Sequence, residues 1–186
     1  DNFSLERVSK AGAKFDYEKG KWFNHQYLMM HSDELLANEF VPVLEKHGIN
    51  LRQSAVTREQ LVHIVRLMKE RVNFVSELWD LCNFFFTAPE EYDEKSLKKR
   101  WKEESPRQMQ ELHDLLSSAE DWSAEALDSL VMPWIEKKQY GVGLVMNAFR
   151  ICLVGAARGP HIWEITSVLG KQETLKRVQT AISKLQ

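Results

Sequence analysis

The chain has 186 residues, of which 44% are hydrophobic and 10% aromatic, enough to bury the core of one large domain or two small ones. Its 25 Lys and Arg against 27 Asp and Glu give a formal net charge of -2, which excludes a generally basic nucleic-acid coat protein but leaves room for a local basic face. With only 8 Gly and 5 Pro, the composition favours helices over a turn-rich β architecture.

Signals of a secreted or membrane protein are not found. Cys82 and Cys152 lie far apart in apolar segments, which predicts two buried thiols in a reducing compartment, with a disulfide as the alternative. The most apolar stretch, 143–154, contains Asn147 and Arg150, so we expect no membrane span. The first six residues do not resemble a signal peptide, and because the chain does not begin with methionine we expect it to be a piece of a longer protein.

Helix start and stop signals recur along the whole chain. We predict helix starts where a capping residue precedes an acidic or proline-containing first turn, and helix ends where glycine follows the last turn. In chain order, the predicted helices run from Ser32 to Gly48, Thr57 to a bend near Arg71, Phe74 to Phe86, Ser105 to Leu116, Trp122 to Gly141, Val142 to Gly155, Ile162 to Gly170 and Glu173 to Leu185. No strand-like alternation competes with them, so the predicted fold class is all-α with many helices.

The organisation of these helices predicts two helical subdomains. The charged stretch 90–104 mixes basic and acidic residues and is typical of a solvated amphipathic helix. No repeat period is found. A division near residue 105 separates a first subdomain, residues 1–104, from a second, residues 105–186.

Motifs for nucleotide, metal or nucleophilic chemistry are not found in the sequence. The Gly-Lys pair at 170–171 has Ile165 where a phosphate-binding loop needs its first glycine. Residues 141–143 lack the third glycine of a dinucleotide site and follow a helix, so a helix junction is expected there. None of the six histidines belongs to a His-Glu-x-x-His motif or follows a glutamate by three residues. We expect no catalytic residue and no metal site.

Three features of the sequence are not explained by the packing of a helical core. Arg71 lies between two apolar segments, Arg150 interrupts the most apolar helix, and the stretch 158–163 places an arginine, Gly-Pro and a tryptophan before a helix start. Guanidinium groups and helix N-termini suit phosphates and base edges, and unpaired RNA bases stack on aromatic or proline surfaces. RNA binding is therefore one hypothesis. The alternative is that both arginines form ordinary ion pairs and Trp163 fills the core.

Two stretches carry a recognisable pattern. The first includes Phe15-Asp16, Lys19, Trp22, Asn24 and Tyr27, and the second runs from Phe149 to Gly155, through Gly159 to Ile165, and on to Leu169-Gly170-Lys171. The first resembles the segment after the catalytic domain of bacterial-type glutamyl-tRNA synthetases. The second is similar to the anticodon-binding region of the same family. The resemblance covers essentially the whole chain.

The resemblance implies a stem-contacting segment followed by a helical anticodon-binding domain. The intact family enzyme is a class I synthetase that joins glutamate to its tRNA with ATP and magnesium. Its catalytic domain would lie upstream, so this chain alone is expected to be inactive and to hold no cofactor. The implied partner is glutamate tRNA, bound by a cytoplasmic monomer that contacts neither DNA nor a membrane.

The resemblance also implies roles for individual side chains. Arg71 matches the family arginine that reads the third anticodon base and rejects the glutamine tRNA. Arg150 matches an arginine that contacts the anticodon near its first and third bases. Three lysines near the stem are candidates for contacts with the RNA backbone: Lys14, Lys19 and Lys21.

The stretch before the last two helices contains both matches and departures. Pro160 and Ile162 match family positions beside the bases. Gly159 and His161 stand where some members have threonine and glycine, so we expect backbone contacts at those two positions. Trp163 replaces a family phenylalanine and is predicted to be a core residue.

Two other classes of function compete with RNA binding. A helical protein-interaction module without RNA binding, such as a solenoid, agrees with the all-α pattern and the near-neutral charge, but the missing repeat period counts against it. An independent enzyme with an unrecognised site is the third possibility, and the lack of catalytic motifs in the sequence counts against it.

Overall fold

The computed structural model describes residues 16–185, and within that range it is all-α, as predicted, with nine α-helices and no strand. The helices are α1 (Tyr17–Met30), α2 (Asp33–Lys46), α3 (Arg58–Met68), α4 (Leu78–Cys82), α5 (Glu94–Arg100), α6 (Ser105–Ser117), α7 (Ala124–Lys137), α8 (Val142–Val154) and α9 (Ile162–Lys184).

Most helix starts follow the predicted capping chemistry. The side chains of Ser32, Thr57 and Ser123 each accept a hydrogen bond from a backbone N–H in the first turn of α2, α3 and α7. Ser105 differs from its predicted role, because α6 begins at this residue and not after it. Its hydroxyl instead accepts a bond of 2.8 Å from the backbone N–H of Lys102, which fixes the turn leading into the helix.

Two helix interruptions lie where the sequence predicts them. α3 ends at Met68 and continues as a 3-10 turn, Lys69–Arg71, before the chain becomes extended at Val72, so the predicted bend near Arg71 is confirmed. The predicted end at Gly170 is also confirmed: this residue has φ 73° and ψ 170°, and α9 is bent there into two helical segments. Glycine adopts such positive φ values at little cost.

A single buried cluster of apolar side chains runs through the described residues. Phe40 and Met68 from the first half and Phe149 and Trp163 from the second half belong to it. The two predicted buried thiols, Cys82 and Cys152, are also part of it. Burial raises the pKa of both, which keeps them protonated and unreactive.

Hydrogen bonds cross the predicted boundary near residue 105. The Gln60 amide donates to the Val168 carbonyl at 3.0 Å, and the Trp101 indole donates to the Leu185 carbonyl at 3.1 Å. These bonds tie α3 and the end of α5 to the two segments of α9. The division into two subdomains stays a prediction. The two hydrogen bonds join residues on either side of the predicted boundary.

Arg177 is the most deeply buried charged group among the described residues. Its side chain in α9 donates through Nη1 to the carbonyls of Phe84 and Leu153, at 2.6 and 2.8 Å, and through Nε to Glu173 at 2.8 Å. Burial lowers the pKa of the guanidinium, whereas the carboxylate of Glu173 acts in the opposite direction. Arg177 therefore fixes the C-terminal turn of α8 against the 3-10 turn Asn83–Phe85.

Replacing Arg177 by methionine should be strongly destabilising. Arg177→Met leaves two buried carbonyls without their donor, which we expect to lower the free energy of unfolding by about 2–4 kcal/mol. Lys184→Met is the matched control, because Lys184 also lies in α9 and donates to a carbonyl, that of Glu90, but at an exposed position. Its effect should stay within about 0.5 kcal/mol. Urea unfolding with a constant m-value measures both, and equal losses would contradict the assigned role of Arg177.

Candidate nucleic-acid interface

Two arginines from distant parts of the chain meet on one loop. Arg71, at the end of the turn after α3, donates through Nη1 to the carbonyl of Gly159 at 3.1 Å. Arg150, in α8, donates through Nη1 to the carbonyls of Pro160 at 2.5 Å and Arg158 at 3.3 Å. We call Arg71, Arg150 and the loop 158–160 the arginine cluster. The structure thus brings together the two arginines predicted to read the anticodon.

The charges of the arginine cluster are not neutralised by carboxylates in the described part of the chain. Neither Arg71 nor Arg150 forms a salt bridge with a residue in the range 16–185, so the ion-pair alternative is not observed there. Burial lowers the pKa of the Arg150 guanidinium, and the nearby positive charge of Arg71 lowers it further. Two like charges held close together favour a bound anion or an electron-rich base edge.

Gly159 has a backbone conformation that favours glycine. Its φ is 110°, and a Cβ at this position would lie 3.4 Å from Phe84 Cζ and Ile165 Cδ1 and 3.5 Å from Arg150 Nη1. The positive φ gives a physical reason for glycine at this position. In this conformation the carbonyl of Gly159 accepts the hydrogen bond from Arg71.

Burial limits which side chains after this glycine can reach a ligand. Pro160 is buried, and Ile162 and Trp163 are each 2% exposed. The Trp163 indole donates to Asp128 at 2.7 Å, so its predicted place in the core is confirmed. Any contact at Pro160 or Ile162 must therefore come from the backbone, whereas the side chain of His161 is exposed.

Arg158, which the sequence marked only as a cation before a helix start, supports the loop of the arginine cluster. Its Nη1 donates to the carbonyl of Asp80 at 2.9 Å, and the neighbouring N–H of Ala157 donates to the hydroxyl of Ser96 at 3.0 Å. These bonds fasten the loop of the arginine cluster to α4 and α5. Asp80 lies 78 residues away in sequence, so no local signal could have identified the pair.

Helix α1 is attached to the backbone directly after Arg71. His25 Nδ1 lies 2.8 Å from the carbonyl oxygen of Val72, and because a carbonyl only accepts, Nδ1 is the protonated ring nitrogen. The amide of Asn24 donates to the carbonyl of Asn73. α1 and Arg71 are therefore linked through adjacent backbone carbonyls.

The predicted stem-contact lysines are placed differently from one another. Lys21 lines a groove of about 370 Å³ between α1 and residues 70–73, together with Arg71, and its Nζ lies 3.3 Å from Glu18. Lys19 lies elsewhere on the helix, with Nζ 5.8 Å from the ring centre of Phe23. Lys14 is outside the described residues. Of the two lysines in the described residues, Lys21 is the one that lines a groove with Arg71.

The remaining sequence-based expectations concern absences. Within residues 16–185, no group of three or more His, Cys, Asp or Glu side chains is arranged to hold a metal ion. Over the same range, the helices are too short or too polar to cross a lipid bilayer.

Comparison with known proteins identifies relatives of the chain. Residues 35–182 match the family model described as "Anticodon binding domain". The glutamate–tRNA ligases of Phocaeicola vulgatus and Bacteroides fragilis are each 52% identical over 98% of this chain, which covers 35% of each relative. The crystal structure of a glutamate tRNA ligase from Elizabethkingia meningosepticum is 41% identical, with a TM-score of 0.88 over 99% of this chain and 36% of that one. The chain spans about a third of the length of these relatives.

Replacing Gly159 by alanine should strain the loop of the arginine cluster. Because side chains rarely adopt the positive φ of this residue, we expect Gly159→Ala to lower the free energy of unfolding by about 1–3 kcal/mol. Gly143→Ala is the control: Gly143 lies in α8 and a Cβ there meets nothing within 4 Å. That substitution should be neutral or stabilise by up to about 1 kcal/mol. Denaturant unfolding of both variants measures the difference in stability. Equal stabilities would contradict the prediction that alanine strains the backbone at position 159.

Proposed function

The chain belongs to the anticodon-binding domain family, and from that membership we propose that it is the tRNA-reading part of a glutamate–tRNA ligase. The intact protein would be an aminoacyl-tRNA synthetase that joins glutamate to its tRNA with ATP. One observation of this chain carries the proposal: Arg71 and Arg150 converge on the loop 158–160 and use backbone carbonyls, not carboxylates in the described residues, as partners.

Arg71 has the chemistry required to read a base edge. It is exposed, and of its five N–H donors only one is bonded to Gly159 within the described residues. Two parallel donors of a guanidinium match the two adjacent acceptors of a cytosine edge, whereas uracil presents a donor at one of those positions. Arg71 would thus distinguish the third anticodon base.

Arg150 and the loop supply a second kind of contact. Arg150 is half-buried and bonded to two carbonyls, so it both shapes the loop and brings positive charge to its surface. Gly159 has no side chain, and the side chains of Pro160 and Ile162 are buried. At these three positions only backbone groups would contact the bases. The exposed ring of His161 is available to stack on an unpaired base.

Lysines of α1 would add affinity without sequence information. Lys21 lines the groove beside Arg71, together with Glu18 and Glu70, and its proposed partner is a phosphate of the anticodon stem. Lys19 and Lys14 stay proposals for the same role. The proposed complex is that of a cytoplasmic monomer with glutamate tRNA, without DNA or membrane contacts.

The proposal assigns neither ATP nor magnesium to the described residues, 16–185. Within residues 16–185 there is no suitable cluster of acidic side chains, and the sequence has no phosphate-binding glycine loop. Both would bind in the part of the intact protein that lies outside this chain. The isolated chain should therefore show no ATP-dependent activation of glutamate.

Selectivity between tRNAs tests the role of Arg71. In the full-length enzyme, Arg71→Ala and Arg71→Lys should each lower the preference for glutamate tRNA over a variant with a changed third anticodon base, on the order of 10–100-fold. Lysine keeps the charge but loses the paired donors. Arg66→Lys is the control, because Arg66 lies in α3 and pairs with Asp33 at 2.9 Å. The ratio of kcat/KM values and the Tm are measured. A large fall in Tm with unchanged selectivity would make Arg71 structural.

The salt dependence of binding tests the electrostatic contribution of the lysines to tRNA affinity. Affinity for glutamate tRNA should fall as salt rises, and Lys21→Gln should reduce the slope of log K against log salt by about 1 while weakening all tRNAs equally. Lys184→Gln, at the far end of α9, should leave the slope unchanged. Equal affinity for glutamate tRNA and the anticodon variant, or no salt dependence, would favour a protein-interaction module instead.

A further inference from the structure

The backbone directly after Arg71 lies between two helical turns and belongs to neither of them. Residues 72–74 separate the 3-10 turn Lys69–Arg71 from a second 3-10 turn, Val75–Glu77, and the first and last residues of this stretch have extended backbone angles. Backbone outside helices and sheets must find partners for its N–H and C=O groups elsewhere. The partners of residues 72–74 therefore decide how firmly this stretch holds the residue before it.

Glu77 supplies several of those partners. Its Oε2 accepts hydrogen bonds from the backbone N–H of Asn73 at 2.7 Å and of Phe74 at 3.3 Å. Its own backbone N–H donates to the carbonyl of Phe74 at 3.0 Å. Phe74 occupies the position before the 3-10 turn, where a capping side chain would accept from these N–H groups, but a phenyl ring has no such acceptor. The Glu77 carboxylate therefore caps this turn in place of the preceding side chain.

Helix α1 bonds the same two peptide units at their carbonyls. His25 Nδ1 donates to the carbonyl of Val72 at 2.8 Å, and the amide of Asn24 donates to the carbonyl of Asn73. Because the N–H and C=O of a trans peptide point in opposite directions, α1 and Glu77 bond to opposite edges of this stretch. Each of the two peptide units is thus bonded at both of its polar groups, and neither can rotate without breaking a hydrogen bond.

The side chain of Arg71 is held at both of its ends. At its tip, Nη1 donates to the carbonyl of Gly159 at 3.1 Å. At its base, the backbone that follows it is fixed by the bonds to Glu77 and α1. We propose that Glu77 is a positioning residue for Arg71 and thereby contributes to selectivity for the third anticodon base. This inference rests on the proposed function, in which Arg71 reads that base.

The need for such a positioning residue follows from the way a guanidinium reads a base. Two parallel N–H donors must meet two adjacent acceptors at once, so the plane of the Arg71 guanidinium has to be aligned with the base edge. A displacement of about 1 Å is enough to weaken such an arrangement severely. Because Glu77 acts on the backbone and not on the base, its contribution should exist only while Arg71 is present.

A double-mutant cycle in the full-length enzyme tests this dependence. Glu77→Ala, Arg71→Ala and the double variant are compared with the parent by the ratio of kcat/KM values for glutamate tRNA and for a tRNA changed at the third anticodon base. A tRNA changed at the first anticodon base shows whether a loss is confined to the third. The control is Asp121→Ala, because the carboxylate of Asp121 also accepts from a backbone N–H, that of Ser123 at 2.8 Å, but in the loop before α7. The Tm of each variant is measured as well.

We expect Glu77→Ala to lower third-base selectivity about tenfold and to leave first-base selectivity within about twofold of the parent. In the Arg71→Ala background, the same substitution should change third-base selectivity by less than about twofold, because no guanidinium remains to be positioned. Asp121→Ala should leave both selectivities unchanged. If Glu77→Ala does not fold, Glu77→Gln should lower third-base selectivity by a smaller factor, since the amide oxygen of glutamine can accept only in part of the original geometry.

Three results would overturn the role of Glu77. The first is a folded Glu77 variant with the third-base selectivity of the parent, whatever its Tm. The second is an equal loss of first-base and third-base selectivity. The third is the same effect of Glu77→Ala with and without Arg71. A parent enzyme that does not prefer glutamate tRNA over the third-base variant would refute the proposed function itself, whereas a selective parent with an unaffected Glu77 variant refutes only this inference.

Discussion

Two guanidinium groups bound to the carbonyls of one loop are the interaction on which the rest of this surface depends. Arg71 comes from the 3-10 turn after α3 and Arg150 from α8, and both donate to carbonyls of the loop 158–160. Backbone carbonyls orient the two groups but do not cancel their charge. The protein therefore keeps two positive groups fixed, close together and available to a ligand, at a cost that the remaining fold must offset.

Residues from several helices and turns hold that loop in place, some by contacting it and others by contacting its neighbours. Arg158 ties the loop to α4, and Phe84 packs beneath Gly159. Arg177 in turn donates to the carbonyls of Phe84 and of Leu153, which lies in the last turn of α8, the helix that also contains Arg150. Because the loop is held from both sides, a ligand meets a site that is already formed and loses little free energy in ordering it.

The local structure could be predicted from the sequence, whereas the tertiary contacts could not. Ser32, Thr57 and Gly170 act through residues only a few positions away, so their patterns predicted helix starts and a helix end correctly. The roles of Arg71 and Arg150 came from family resemblance, since no spacing rule relates residues so far apart. The Arg158–Asp80 bond and the burial of Ile162 depend on packing between distant segments and needed the structure. The assignment of Ser105 as a cap was wrong by one residue because its hydroxyl serves the preceding turn.

Side-chain NMR of the arginine guanidinium groups tests the central claim most directly. In the full-length protein, titration with an RNA hairpin carrying the glutamate anticodon loop should shift and protect the N–H signals of Arg71 and Arg150. The buried Arg177 and the surface Arg66 should be unaffected. With the third anticodon base changed, the effect on Arg71 should be lost while that on Arg150 remains. Binding of the hairpin with no change at either arginine would contradict the account.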